Sequence, residues 1–173
     1  MRIIIVGCGK IGQTIVEELV AEKQDVLVLD TNPDIVKKMV DTYDVMGICG
    51  NGVSYDKLLE AETDKADVFI AVTRSDELNM LCCFAAKKLG AKHTVARIRD
   101  YEYTNQKLRF MKESLAIDMI INPELLTAEA FYNVLRLPSA TKVEMFSNRR
   151  FEMTEFLATE ISALCGQTVN ELK

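Results

Sequence analysis

Long apolar runs are missing from this chain, and no stretch approaches the roughly 20 consecutive apolar residues that a membrane-spanning helix needs. The amino terminus enters an aliphatic segment directly, without the charged region, apolar stretch and cleavage pattern of a secretory leader, so the expectation is a cytoplasmic polypeptide. Histidine occurs once, as His93 at the edge of an expected strand, where a structural role is expected. No H-E-x-x-H, G-x-S-x-G or G-x-x-x-x-G-K-[ST] pattern is present, which removes the common zinc-protease, serine-hydrolase and P-loop chemistries. Cys8, Cys49, Cys82, Cys83 and Cys165 form an odd set without C-x-x-C spacing, arguing against a disulfide framework and a zinc site. A net charge of −5 supplies no global field for nucleic acid.

What is present is an apolar fraction of 49% over 173 residues, enough for one good core and part of a second. The chain opens on Ile3-Ile4-Ile5-Val6 followed by Gly7-Cys8-Gly9-Lys10-Ile11-Gly12, a G-x-G-x-x-G pattern placed between an aliphatic strand and an amphipathic segment. In such a turn the first glycine permits a tight bend, the second lets backbone approach a pyrophosphate, and the third lets the helix pack closely on the strand. Free N–H groups and the helix dipole then favour an anion without a basic side chain. A second strand, Asp25 to Asp30, ends on a carboxylate eighteen positions after Gly12. That is near the spacing of about 20 residues expected for the acid that accepts a ribose diol. The Asp-Thr-Asn-Pro setting alone would also justify a turn or capping role, but the complete strand-loop-helix-strand context favours the ribose for Asp30. In the ribose role it repels a 2′-phosphate and favours NAD or an adenosine nucleotide over NADP. Cys8, inside this turn, is a candidate for a lowered thiol pKa and oxidation; Cys49, Cys82 and Cys83 are expected as small apolar fillers.

Strand and helix signals then alternate: a helix over 34–42, a strand over 45–49, a helix through Leu58 and Leu59, and a strand over 67–72. A helix starts at the Thr73-Arg74-Ser75-Asp76-Glu77 segment, followed by strand 94–98, a polar helix around 103–112, strand 117–121 and a helix from Pro123. The pattern predicts an α/β fold of the Rossmann type, a doubly wound parallel sheet of six strands. Ligands of such sheets bind at the carboxyl ends of the strands, which singles out the loops at Gly7, Asp30, Gly50, Thr73 and Arg97. Asn51, within Gly50-Asn51-Gly52, is either an adenine contact or an ordinary turn residue. Arg97, a guanidinium in an apolar strand, is expected to turn toward an acid or a phosphate. The helix over 123–137 is apolar around much of its circumference and needs more than one apolar partner, its own subunit or a second copy. After Leu137-Pro138-Ser139-Ala140 come a strand candidate over 142–146 and an apolar tail, too short for an independent core.

Three further blocks carry a resemblance: Leu29-Asp30-Thr31-Asn32, Ala71-Val72-Thr73-Arg74-Ser75-Asp76-Glu77-Leu78-Asn79-Met80, and Thr94-Val95-Ala96-Arg97-Ile98-Arg99. With the opening turn, with Gly50-Asn51-Gly52 ahead of Leu58-Leu59-Glu60-Ala61, and with Ile121-Asn122-Pro123-Glu124, they resemble the Trk-type potassium-uptake regulators and their RCK or KTN nucleotide-binding domain. The resemblance implies a nucleotide domain over 1–137, and a linker and the beginning of a truncated, small α+β carboxy-terminal domain over 138–173. It implies that Gly7, Cys8, Gly9, Lys10, Ile11 and Gly12 hold the phosphates and Asp30 the ribose, with Thr31 among the cofactor-binding residues. Thr73 and Arg74 take the far side of the nucleotide, Arg97 an anionic group and Asn51 the base or ribose. NAD, NADH, ATP and ADP are the implied ligands. The implied function is a cytosolic, non-enzymatic regulatory subunit that gates a membrane potassium transporter, docked at the inner face of the membrane. The implied assembly is a homodimer through helix 123–137, within a tetrameric or larger ring. The alternative is the cofactor half of an NAD-dependent oxidoreductase, but the chain has no room for a substrate domain with an acid or base aimed at a nicotinamide.

Overall fold

The computed structural model describes residues 1–100, 113–146, 151–158 and 165–168. The polar helix expected around 103–112 and much of the apolar tail lie outside the described residues. The chain divides into two compact units, Met1–Pro123 and Glu124–Lys173.

In the first unit β1 (Arg2–Val6), α1 (Lys10–Ala21), β2 (Asp25–Asp30), α2 (Pro33–Tyr43), β3 (Met46–Cys49) and α3 (Tyr55–Glu60) are followed by a short 3₁₀ turn. β4 (Val68–Ala71), α4 (Asp76–Leu89), β5 (His93–Arg97) and β6 (Met119–Ile121) complete it. The strands form one parallel sheet in the order β3-β2-β1-β4-β5-β6, the six-stranded doubly wound arrangement expected. Their order reverses between β1 and β4, and such a switch point opens a crevice at the strand ends. Register levels those ends, with Val6 opposite both Leu29 and Ala71, and Asp30 opposite Cys49.

Alternate residues of the central strands build two cores. Ile3, Ile5, Val26 and Val28 pack with Val16 of α1 and Met39 of α2 on one face. Ile4, Val6, Leu27, Leu29 and Phe69 pack with Leu58, Met80, Cys82, Cys83 and Ala86 on the other. Each fully buried aliphatic side chain contributes about 1.5–3 kcal/mol, so the continuous aliphatic runs that make poor surface strands make good central ones. The helix starts follow capping chemistry. Asn32 Oδ1 accepts from the N–H groups of Asp34 (2.9 Å) and Ile35 (3.4 Å) ahead of Pro33 in the first turn of α2. Ser75 Oγ accepts from Leu78 N at α4, which ends on Gly90 at φ +117°.

The second unit contains α5 (Pro123–Arg136, whose first residue closes the first unit) and the antiparallel pair β7 (Ala140–Phe146) and β8 (Phe151–Phe156). The small antiparallel sheet accords with the expected α+β segment, although β8 has no counterpart in the sequence reading. The units divide at Pro123, so α5 groups with the second, whereas the nucleotide domain expected from sequence extends through 137. Among the described residues no helix is long and apolar enough to cross a membrane.

Candidate functional site

At the switch point a cleft of about 390 Å³ is lined by residues of four successive strand-end loops. Gly7 and Gly9 come from the loop after β1, Asp30, Thr31 and Asn32 from that after β2, Gly50–Gly52 from that after β3, and Thr73 and Arg74 from that after β4. Val6, Leu29, Ile35, Val72 and Leu78 supply an apolar lining.

The glycines differ in what holds them. Gly7 has φ +97°, and a Cβ there would lie 2.8 Å from Thr73 N and 2.9 Å from Val72 C, so both conformation and space demand glycine. At Gly12 a Cβ would lie 2.0 Å from the Gly7 carbonyl oxygen, because α1 starts flush against the turn. Gly9 has an ordinary φ of −68° and nothing within 4 Å of its Cβ position, and it is exposed. Among the described residues nothing requires glycine there, and the open space would admit a closely approaching ligand. Gly9 is also the cap of α1, which has no side-chain cap hydrogen bond and no acid in its first turn. α2 and α4 both have side-chain caps. The positive end of α1 is thus left without a side-chain acceptor, as anion binding requires.

Asp30 lies against the glycine turn. Its Oδ2 accepts from the Cys8 N–H at 2.7 Å and its Oδ1 from the Asn32 N–H at 2.9 Å. It therefore has the turn role and also lines the cleft. Each carboxylate oxygen keeps a lone pair for one more donor, so it can grip the glycine turn and a diol together. Asn51 Oδ1 accepts from Val53 N at 3.2 Å, the turn role, and Asn51 lines the cleft too.

The wall after β4 is set by Asn79, which is fully buried. Its Oδ1 accepts from Thr73 N (2.8 Å) and Thr73 Oγ1 (2.7 Å), and its Nδ2 donates to the carbonyls of Arg97 (2.8 Å) and Thr73 (3.3 Å). All four hydrogen-bonding positions of the amide are used, which locks Thr73 in place.

Of the residues expected at the site, Gly7, Gly9, Asp30, Thr31, Asn51, Thr73 and Arg74 converge on the cleft. Cys8, Lys10, Ile11, Gly12 and Arg97 do not line it. The first four belong to the turn and first helical turn behind it, and Arg97 is half-buried at the end of β5. Asn32, Ile35 and Leu78 line it without having been singled out; the first-turn positions of α2 and α4, which face the strand ends, are the signal that marks them.

Cys8 corrects an expectation. Burial pushes its thiol up to about 12, with the Asp30 carboxylate adding to the rise, so the helix dipole does not activate it. Burial raises the Cys82 thiol to about 12 and that of Cys83 further still. Cys49, expected as a small apolar filler beside or on a buried element, is exposed. In a stopped-time assay with a thiol-reactive dye, Cys49 and Cys165 are expected to label fast and the three buried cysteines only on denaturation. Fast native labelling of Cys8, located by peptide mapping, would contradict this.

The TrkA-N domain model matches residues 3–123, the first compact unit almost to the residue. The chain belongs to the TrkA-N family. Over its whole length this TrkA-N chain is 33% identical to a Trk system potassium uptake protein TrkA of Vibrio alginolyticus, covering 38% of that protein. It is 34% identical, over 99% of its length, to a TrkA homolog of Archaeoglobus fulgidus, covering 39% of it. The chain thus spans about two fifths of the length of these curated relatives. Among solved structures, the TrkA-N domain of the Escherichia coli inner membrane protein ybaL superimposes with a TM-score of 0.69 at 17% identity, over 78% of this chain and 96% of that one. The GsuK channel bound to NAD gives 0.65 at 16% identity, over 85% of this chain and 25% of that one. At such identities the likeness is one of fold.

Proposed function

We propose that this chain is the nucleotide-sensing portion of a cytosolic regulatory subunit of a potassium uptake system. In this reading it binds NAD, NADH, ATP or ADP in the cleft at the glycine turn and gates a membrane potassium transporter through a conformational change. The observation that carries the reading is Gly9: an exposed glycine, capping an uncapped helix, with open space at its Cβ position and the Asp30 carboxylate beside the same turn in the cleft. The names of the TrkA relatives and the NAD-bound GsuK channel support it.

The residues divide the work. The backbone from Gly7 through Cys8, Gly9, Lys10 and Ile11 to Gly12 cradles the phosphates, Asp30 and Thr31 hold the adenosine ribose, and Asn51 sits by the base. Thr73 and Arg74 contact the far side, and Arg97 serves an anionic group through the same edge of the sheet. Sensing needs no bond to be made or broken; a ligand shifts an equilibrium only by its difference in affinity for two conformations. Residues 1–137 form the nucleotide domain in this reading, and 138 onward opens a second domain. Leu125, Leu126, Phe131, Tyr132, Val134 and Leu135 of α5 are all exposed, an apolar surface that a second copy covers in a homodimer within a ring.

Gly9→Val tests the reading where folding and binding separate. With nothing within 4 Å of the Cβ position, the variant is expected to melt within about 2 °C of wild type. It is expected to bind NADH and ATP at least about tenfold more weakly, as a side chain displaces the phosphates. Equal affinity in the variant, or oxidation of NADH by the protein with a small carbonyl compound, would overturn the proposal.

A further inference from the structure

Beyond the cleft itself, the loop after β4 is bonded to a second loop and, through it, to the entry of α5. Asp76, two residues after the cleft-lining Arg74, is the first residue of α4, and only 8% of its side chain is exposed. Its Oδ2 accepts from the backbone N–H groups of Arg99 (2.8 Å) and Asp100 (2.9 Å), and its Oδ1 accepts from Arg99 Nε (3.4 Å). Arg99 also donates through Nη2 to the Arg74 carbonyl. The Arg99 carbonyl in turn accepts from Asn122 Nδ2 at 2.9 Å. Asn122 immediately precedes Pro123, the residue that opens α5.

We propose that Asp76 is a positioning residue that couples occupancy of the cleft at Thr73 and Arg74 to Asn122 and the start of α5, through the backbone of Arg99. The inference rests on the nucleotide-binding reading above and adds to it the route of regulation. A buried carboxylate taking two backbone donors on one oxygen makes charge-assisted bonds that hold the loop after β5 to the start of α4. Asn79 adds a second strut between the same elements, from Thr73 to the Arg97 carbonyl. A displacement of Thr73 and Arg74 by a nucleotide therefore carries the loop at Arg99 with it, and Asn122 is bonded to that loop. The guanidinium arm is exposed and contributes little by itself; the carboxylate-to-backbone bonds carry the coupling.

Backbone hydrogen exchange over residues 124–130, measured on the whole chain with and without saturating NADH, provides the test, with calorimetry run in parallel for affinity. In wild type, NADH is expected to change exchange there by about fivefold or more, the usual lower range of coupling between sites. Asp76→Asn keeps a carbonyl oxygen for the two N–H groups and should retain most of that change. Asp76→Ala and Asn122→Ala should reduce it below about twofold while NADH still binds, and the double variant should decouple no further than either alone, because the two bonds act in series. Asn122→Ala removes a partly buried surface contact and keeps the test available where Asp76→Ala does not fold. A response that survives Asn122→Ala, or a wild type that binds NADH with no change at 124–130, would overturn the coupling alone. Absence of any calorimetric binding would instead overturn the nucleotide reading and the coupling with it.

Discussion

Gly12→Ala is expected to destabilise the chain by about 3 kcal/mol, lowering its melting temperature by roughly 6–12 °C. The added Cβ would sit 2.0 Å from the Gly7 carbonyl oxygen and 3.1 Å from the Gly7 carbonyl carbon. Both are backbone atoms, so relief cannot come from a side chain swinging aside. Either α1 must move off β1, parting Val16 from the core it shares with Ile3, Ile5 and Val28, or the Gly7 turn must open. Opening the turn disturbs Gly7 N, which donates to the Leu29 carbonyl at 2.9 Å, and separates the Cys8 N–H from Asp30. Overpacking of a close-packed interior commonly costs about 1–3 kcal/mol, and a backbone collision belongs at the upper end. Thermal and urea denaturation report the change directly. A variant that melts with wild type would show that helix and turn are not held as closely as the geometry gives. Set beside Gly9→Val, the result separates two glycines of one motif, one demanded by the fold and one by the ligand.

Asp30→Ala is expected to weaken binding of every adenosine nucleotide by about 100-fold. A hydrogen bond to a charged group contributes roughly 1.5–3 kcal/mol, and about 2.7 kcal/mol corresponds to two decades of affinity. Two losses combine, because the same carboxylate that faces the cleft also holds the Cys8 and Asn32 N–H groups. Asp30→Asn is expected to do little better: its NH₂ must face one of those two N–H donors, donor against donor. The variant should also narrow the gap between NADH and NADPH, since removing the negative charge removes the repulsion of a 2′-phosphate. Calorimetric titration of NAD, NADH, ATP, ADP and NADPH into wild type and both variants measures all three effects. Wild-type affinity in Asp30→Ala would remove Asp30 from the site.

The sheet was legible in the sequence because its signals are local and repeated. Aliphatic runs such as Ile3 to Val6 and Val26 to Leu29 suit only strands buried on both faces, and both core faces bear this out. The glycine turn was legible because sterics at Gly7 and Gly12 leave no other residue. Long-range relations were not. Nothing local says that Asn79 reaches both Thr73 and the Arg97 carbonyl, or that Asp76 grips the loop at Arg99, because the partners are brought close only by the sheet order. Cys8 misled because its place in the motif suggests a helix dipole, while the burial that dominates its thiol depends on tertiary packing. β8 was missed because its residues are mostly exposed and lack the alternation of a half-buried strand.

Amide chemical-shift mapping of the chain with NADH locates the nucleotide site residue by residue. Perturbations are expected at Gly7–Gly9, Asp30–Asn32, Asn51 and Thr73–Arg74, with none at Asp67, Lys92 or His93 at the opposite ends of the strands. Saturable shifts confined to that opposite edge, or no shifts at all, would contradict that placement.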